Sequence, residues 1–405
     1  MNRSESSLLL AVLALLVSVT GVRPAQAASE WPMYRGNPRL TGVTEARIPV
    51  KPVLRWSFKT SSEVKSSAAI VGGHVFFGSG DSNCYCLKLT DGSRVWTFAS
   101  DGPIDSSPLV LDGRVYFGTA NTNFYCLDAT TGREVWHYGL DEKVLSSPNW
   151  IQLPGGTRRQ ILIGCYDFNL YAFDAITGKT NWVYATGNYI NGSPAIGDGL
   201  TAFGGCDAII HVLDVVAGRK QKEIEAGAYI AASGALVDDH LYVGHYENAF
   251  LSVNLKEGKI DWTYRDRNFP YLSSPAVTKD RVVVGGRDKR VHCLNRSTGE
   301  PLWTFATRGK VDSSPVVTGN AVVVGSDDGR IYQLSLNDGQ ELWNYEVGQP
   351  VQSSPAVVEG HLVFGAANSD VFFSTLAITA YPLLRSTIVT TAPLWLVPMT
   401  VSHSQ

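Results

Sequence analysis

VDSSPVVTGNAVVVGSDDGRIYQLSLNDGQELWNY, residues Val311–Tyr345, reads as four short strands. One follows Ser-Ser-Pro, one ends at Gly325, one runs through Ile331–Leu334, and one carries Trp343 after a turn at Asp338-Gly339. Equivalent stretches begin at Val64, Ile104, Val144, Ile190, Ile230, Tyr271, Val311 and Val351, at intervals of 40, 40, 46, 40, 41, 40 and 40 residues. A sheet of this size leaves a hydrophobic face uncovered until a neighbour stacks on it. Eight copies therefore predict an all-β chain: an eight-bladed β-propeller of four-stranded antiparallel blades.

The ends of the repeat array predict how the ring closes. Val53–Lys59, VLRWSFK, is a Trp-bearing fourth strand with no three strands before it, and Val351–Thr375 supplies three strands with no fourth. The N-terminal strand is expected to form the outer edge of the last blade. The chain then divides into an export signal at 1–27, an irregular packing segment at 28–52, the propeller at 53–376 and an irregular tail at 377–405.

Residues 1–27 place Arg3 before an apolar run from Leu8 to Val19, followed by Ala25-Gln26-Ala27. That run is short for a bilayer span and has the flanks of a cleaved signal, so a periplasmic or secreted protein without stable transmembrane insertion is expected. Its removal leaves 32 basic against 36 acidic side chains and no strong basic block, which argues against a nucleic-acid partner. None of the six cysteines forms a CxxC pair. Cys86, Cys126 and Cys293 share one third-strand position and read as core fillers, while a bridge between neighbouring blades stays open.

Trp56, Trp96, Trp136, Trp182, Trp262, Trp303 and Trp343 recur on the fourth strands, with Lys222 in their place once. Indoles on outer strands are expected to wedge between blades, which makes the Lys222 junction the weakest or most specialised. The glycines four residues before each, from Gly92 to Gly339, are expected at positive φ in bulged hairpins. Asp128, Asp174, Asp214, Asn254 and Asn295 read as supports of those turns. His211 and His292 replace third-strand tyrosines and read as hydrogen-bonded substitutes rather than metal ligands. In the segment 28–52, Trp31 and Tyr34 should cover apolar surface, with Arg35 and Asn37 holding carbonyls around a Gly36 turn.

Candidate functional residues lie at one end of the ring. Asp81, Asn121, Asp167, Asp207, Glu247, Asp288, Asp328 and Asn368 repeat at the hairpin after the second strand, where turn support is favoured over an acidic rim or a cation site. Ser66, Ser106, Ser146, Gly192, Ala232, Ser273, Ser313 and Ser353 make the inner segment small and polar. The residues before them vary more: Lys65, Asp105, Leu145, Asn191, Ala231, Leu272, Asp312 and Gln352. Of these, Lys65, Asp105, Asn191, Asp312 and Gln352 are candidates for selecting a ligand or peptide. Tyr166, His245-Tyr246 and Arg287 break the pattern at three hairpin tips and are candidates for an asymmetric recognition surface.

The consensus SSPxVxxGxVYFGxxDxxxYxLDxxTGxxxW resembles the pyrroloquinoline quinone (PQQ)-type propeller repeat over about residues 53–376. That family includes quinone-dependent dehydrogenases and the non-enzymatic outer-membrane assembly factor BamB. The dehydrogenases use an adjacent Cys-Cys disulfide, a Trp floor, calcium ligands and a catalytic Asp. Here the nearest cysteines are Cys84 and Cys86, and long active-site loops are absent. The resemblance therefore implies a BamB-like scaffold for an envelope protein or peptide, although the usual lipobox Cys is missing. No cofactor is expected; PQQ with Ca2+ belongs to the dehydrogenase alternative, and a carbohydrate-binding propeller is a third.

Overall fold

The structure, a computed structural model, describes residues 30–367 and 370–375. The expected export signal, the C-terminal tail and Asn368 lie outside the described residues. Eight four-stranded antiparallel sheets follow one another around a ring, each with its first strand at the axis and its fourth at the rim. Val53–Lys59 pairs with Asp370–Thr375, placing Trp56 opposite Phe373, so the last blade takes its outer strand from the beginning of the propeller. No helix among the described residues is long and apolar enough to cross a membrane.

Each junction is held at three radii. Near the axis, the second serine of each Ser-Ser-Pro-like motif accepts a backbone N–H from the corresponding serine of the blade before. The bonds run Ser67 to Ser107, Ser147, Ser193, Ser233, Ser274, Ser314 and Ser354, then back to Ser67, all at 2.8–3.1 Å. At mid-radius, a second-strand glycine faces the aliphatic start of the next repeat. A Cβ on Gly78 would lie 2.1 Å from Ile104, and one on Gly118 2.2 Å from Val144. Only glycine lets these sheets approach so closely.

At the rim the indoles lie over the turn glycines of the next blade. Trp96 covers Gly132 and donates its Nε1–H to Ala129 O at 3.0 Å; Trp303 covers Gly339 and donates to Leu336 O at 2.9 Å. Gly132 and Gly339 have φ of 69° and 73°, and the other five expected turn glycines are also positive. These two indoles and those of Trp56, Trp136, Trp182 and Trp262 are thus inter-blade wedges with one polar tether each. Where Lys222 replaces Trp, its ammonium takes over the tether, donating to Leu255 O at 2.9 Å and to Lys256 O. The thinner side chain leaves a cavity of about 260 Å3 bounded by Leu200, Val212, Leu236 and Leu255.

The segment before the propeller is more ordered than its composition suggests. It runs under the face formed by the first hairpins and visits the blades in sequence. Trp31 exchanges backbone hydrogen bonds with Ile70, and Pro32 O accepts from Val110. Pro38 O accepts from Ile196 and from the Asn149 side chain, Arg39 O from Leu236, Thr41 O from Val277, and Gly42 O from Val317. Val43–Thr44 then adds a short parallel strand to Val316–Thr318, and Arg47 O accepts from Gly360. All eight blades are tied to this one belt.

The Arg35 expectation is corrected here: the residue serves distant blades instead of its own turn. Its buried guanidinium donates to Ser314 O at 3.1 Å, Pro275 O at 2.9 Å and Pro315 O at 2.5 Å. Burial lowers its pKa to about 10, so it stays charged at neutral pH. Gly42 is the residue that makes room, since a Cβ there would sit 1.9 Å from Arg35 Nη2. Asn37 does hold a local turn, through Thr41.

All six cysteines are free, and burial raises the Cys86 and Cys126 thiols to about 12, as suits inert fillers. The inserted residues of the third blade lengthen its first hairpin, where Arg159 covers the Trp150 ring at 5.3 Å.

The rim packing predicts opposite outcomes for two substitutions read by urea unfolding. Trp96→Ala should lower stability by about 3–5 kcal/mol. Lys222→Trp should raise it by about 1–2 kcal/mol by filling the cavity. A neutral Trp96→Ala would show that the indoles are not wedges.

Candidate functional site: an open funnel

The belt leaves one end of the axis open. Tyr34 forms the floor, its hydroxyl 3.1 Å from both Ser274 Oγ and Ser314 Oγ. Above it come the serine ring and then the variable ring from Lys65 to Gln352, enclosing about 180 Å3. The serines facing this space are Ser67, Ser107 and their equivalents. The first serines, read from sequence as the inner segment, turn into the blades instead: Ser66 accepts from Gly78 N–H, and Ser313 from Gly325 N–H.

The variable ring is divided. On the seventh, eighth, first and second blades it carries Asp312, Gln352, Lys65 and Asp105; on the third, fifth and sixth it carries Leu145, Ala231 and Leu272. Four of the polar candidates, Asp312, Gln352, Lys65 and Asn191, have a hydrogen-bond partner. Arg287 grips Asp312 with two hydrogen bonds of 2.9 Å, and Gln352 donates to Asp327 at 3.1 Å. Lys65 bonds Glu63, and Asn191 donates to Cys206 Sγ at 3.2 Å. Burial raises the pKa of Asp105, opposed by Lys65, and burial likewise raises Asp327.

The three exceptional hairpin tips are linked through Tyr246, which interacts electrostatically with both Tyr166 and Arg287. Tyr166 stacks on Tyr189 at 4.7 Å, under the Lys143 ammonium 4.4 Å from its centroid. Tyr246 is 45% exposed. Arg287 is spent largely on Asp312, which with burial opposing raises its pKa further. His245 is buried, and its Nδ1 accepts Glu247 N–H at 3.1 Å, so it shapes the hairpin beneath Tyr246.

The repeated acids are turn and strand supports, in line with the structural reading of the sequence. Asp81 accepts from Tyr85 and Ser61 N–H, and Asp328 from Tyr332 and Arg308 N–H, each at 2.7–2.9 Å. Asp207 and Asp288 hold His211 and His292 in place of tyrosine, at 2.9 and 3.2 Å. Both imidazoles also meet a tyrosine hydroxyl at 3.1 Å.

The same face carries an aromatic arc of which the repeat comparison singled out only Tyr246. Phe168, Tyr189, Tyr229, Tyr246 and Phe269 are 40–57% exposed and occupy hairpins or entry loops from the third to the sixth blade. Tyr189, Tyr229 and Phe269 each lie just before an aliphatic or aromatic repeat start, in segments with no fixed consensus. The only sequence signal was an aromatic residue in an otherwise polar connector. The open face is therefore aromatic over one half and charged over the other.

The family model described as outer membrane protein assembly factor BamB matches residues 53–264 and 266–377. The chain belongs to this family. Among solved structures, BamB from Moraxella catarrhalis shares 20% identity at a TM-score of 0.67, covering 80% of this chain and 100% of that one. The computationally designed Ika8 protein gives 15% identity and a TM-score of 0.70, over 82% of this chain and 100% of that one. Quinohemoprotein alcohol dehydrogenase from Comamonas testosteroni gives 14% and 0.72, over 87% of this chain and 81% of that one. At these identities the three structures share the fold alone. No curated protein sequence matches, and nothing in the comparisons supports a carbohydrate ligand.

Buried His245 and half-buried His361 set an acid limit. Burial lowers the pKa of His245, aided by nearby Arg265, and burial also lowers that of His361. Unfolded histidine binds its proton near pH 6.5. Their contribution is therefore complete above that pH and is lost as pH falls through the lower folded values. Thermal unfolding from pH 7.5 to 5 should show a falling Tm, with a shallower fall in His245→Gln. An identical slope in the variant would contradict this assignment.

Proposed function

We propose that this propeller is an envelope protein-binding scaffold whose working surface is the open face. The observation that carries this reading is the concentration of exposed aromatics over the third to sixth blades, beside a funnel whose charged side chains lie over the opposite half. Large aromatics give contact area at low entropic cost, and a divided face fixes the orientation of whatever docks on it. The fitting partner is a protein loop or extended segment with apolar side chains at one end and polar groups for the Asp105, Asp312 and Gln352 side at the other. Membership in the BamB family supports a protein partner and a periplasmic location.

The mechanism is rigid presentation. The serine ring and belt hold the loops in place, so little ordering is required on binding. No group on this face is assigned a catalytic role. The dehydrogenase alternative would place PQQ and Ca2+ at the same funnel.

Photo-crosslinking from position 229 in an envelope extract should capture a discrete protein. Tyr229→Ala combined with Phe269→Ala should reduce its recovery at least roughly tenfold. Val95→Ala with Leu302→Ala, on outer strands, should leave recovery unchanged. Equal recovery from the aromatic and control variants would overturn the proposal, and saturable uptake of PQQ with Ca2+ would favour the enzyme.

A further inference from the structure

One junction departs from the pattern of repeated acids in a way that turn support does not explain. Asp266, Asp288 and His292 each place one ligating atom within 4.8 Å of the other two. The Asp288 side chain is 3% exposed and that of His292 is fully buried. Asp288 Oδ2 is buried and, among the described residues, has no hydrogen-bond partner.

In three other blades both carboxylate oxygens are satisfied, Oδ1 of Asp81, Asp207 and Asp328 accepting the N–H two residues on at 3.1 Å. Asp81 Oδ2 receives Ser61 N–H and Tyr85 Oη–H, Asp207 Oδ2 receives Gly187 N–H and faces His211, and Asp328 Oδ2 receives Arg308 N–H and Tyr332 Oη–H. In each case the amide comes from the loop that enters the blade. The loop entering the sixth blade is one residue longer and contains Pro270, and no amide from it reaches Asp288. Where Ser100, Thr186 and Thr307 supply hydroxyl donors at the end of a fourth strand, this loop begins with Asp266, which can only accept. A second carboxylate thus approaches an unsatisfied one. Arg290 lies 3.9 Å from Asp266.

We propose that Asp266, Asp288 and His292 bind one first-row divalent cation of the Zn2+ or Mn2+ class. Two carboxylates and an imidazole suit such an ion better than Mg2+ or Ca2+, which favour oxygen ligands throughout. Bonds of about 2.0–2.2 Å place ligand atoms roughly 3–4 Å apart, so the group must contract slightly. Asp266, on an exposed loop, is the member free to move inward. Tyr264 already supplies an outer partner, its hydroxyl 3.1 Å from His292 Nδ1. With Nε2 on the metal, Nδ1–H donates to that oxygen and fixes the ring. The ion ties the Asp266–Tyr271 loop, which carries Phe269, to the hairpin of the sixth blade. This inference is independent of the partner-binding proposal.

Full-length protein freed of metal by a chelator should bind Zn2+ or Mn2+ one-to-one in calorimetric titration, with a rise in Tm. Asp266→Asn, at an exposed position that leaves the fold intact, should weaken binding roughly 10–100-fold. Asp288→Asn should weaken it similarly. Asp261→Asn, which breaks the separate His240–Asp261 pair, should leave it unchanged. Absence of one-to-one binding, an Asp266→Asn titration like that of the parent, or loss only in Asp261→Asn would each overturn the proposal.

Discussion

The interaction on which the rest of the structure depends is the closed circuit of serine hydrogen bonds around the axis. Each blade donates one backbone N–H to the next serine oxygen, and the eighth returns to the first. A single bond of this kind contributes only about 1 kcal/mol, but the circuit fixes the height and tilt of every blade relative to its neighbours. It also explains which parts of the repeat vary. The fourth and fifth repeats degrade Ser-Ser-Pro to Gly-Ser-Pro and Ala-Ser-Gly, yet both keep the serine that enters the circuit, Ser193 and Ser233. Two positions earlier, where the side chain faces the funnel, almost anything is accepted.

Closure of the ring leaves two ends, and the belt makes them unlike. One end is crossed by residues that hydrogen-bond all eight blades and is plugged by Arg35 and Tyr34. The other presents the funnel, the hairpin tips and the entry loops. Differences among blades are therefore concentrated on one face, above a frame that is close to eightfold symmetric. The Lys222 junction is an exception on the rim, and the Asp288 junction is one on the open face itself.

Much of the frame was legible because repetition makes a physical constraint visible eight times. The repeat period, the borrowed strand at Val53–Lys59, the positive-φ turn glycines and the wedging indoles follow from comparing the copies. Features that occur once were not legible. Arg35 lies next to a Gly-containing turn, and nothing local reveals that its partners are some 240 and 280 residues away. The belt pairs through backbone groups, which leave little trace in side-chain pattern. Ser66 and Ser67 are the same residue type, adjacent just before the first strand and turned opposite ways, and only the packing shows which faces the axis. Likewise His245 sits beside exposed Tyr246 in sequence but turns inward. Phe269 and Tyr229 sit in connectors where no consensus exists for them to break.

Amide hydrogen exchange at the eight ring serines is the most direct measurement of closure. A continuous circuit predicts comparable, slow exchange at all eight, with the Ser354 amide, across the seam to Ser67, as protected as that of Ser107. The tips around Tyr166 and Tyr246 should exchange much faster. Selective loss of protection at Ser354, with the remaining serines slow, would mean an open ring and would contradict the rigid, single-faced scaffold described above.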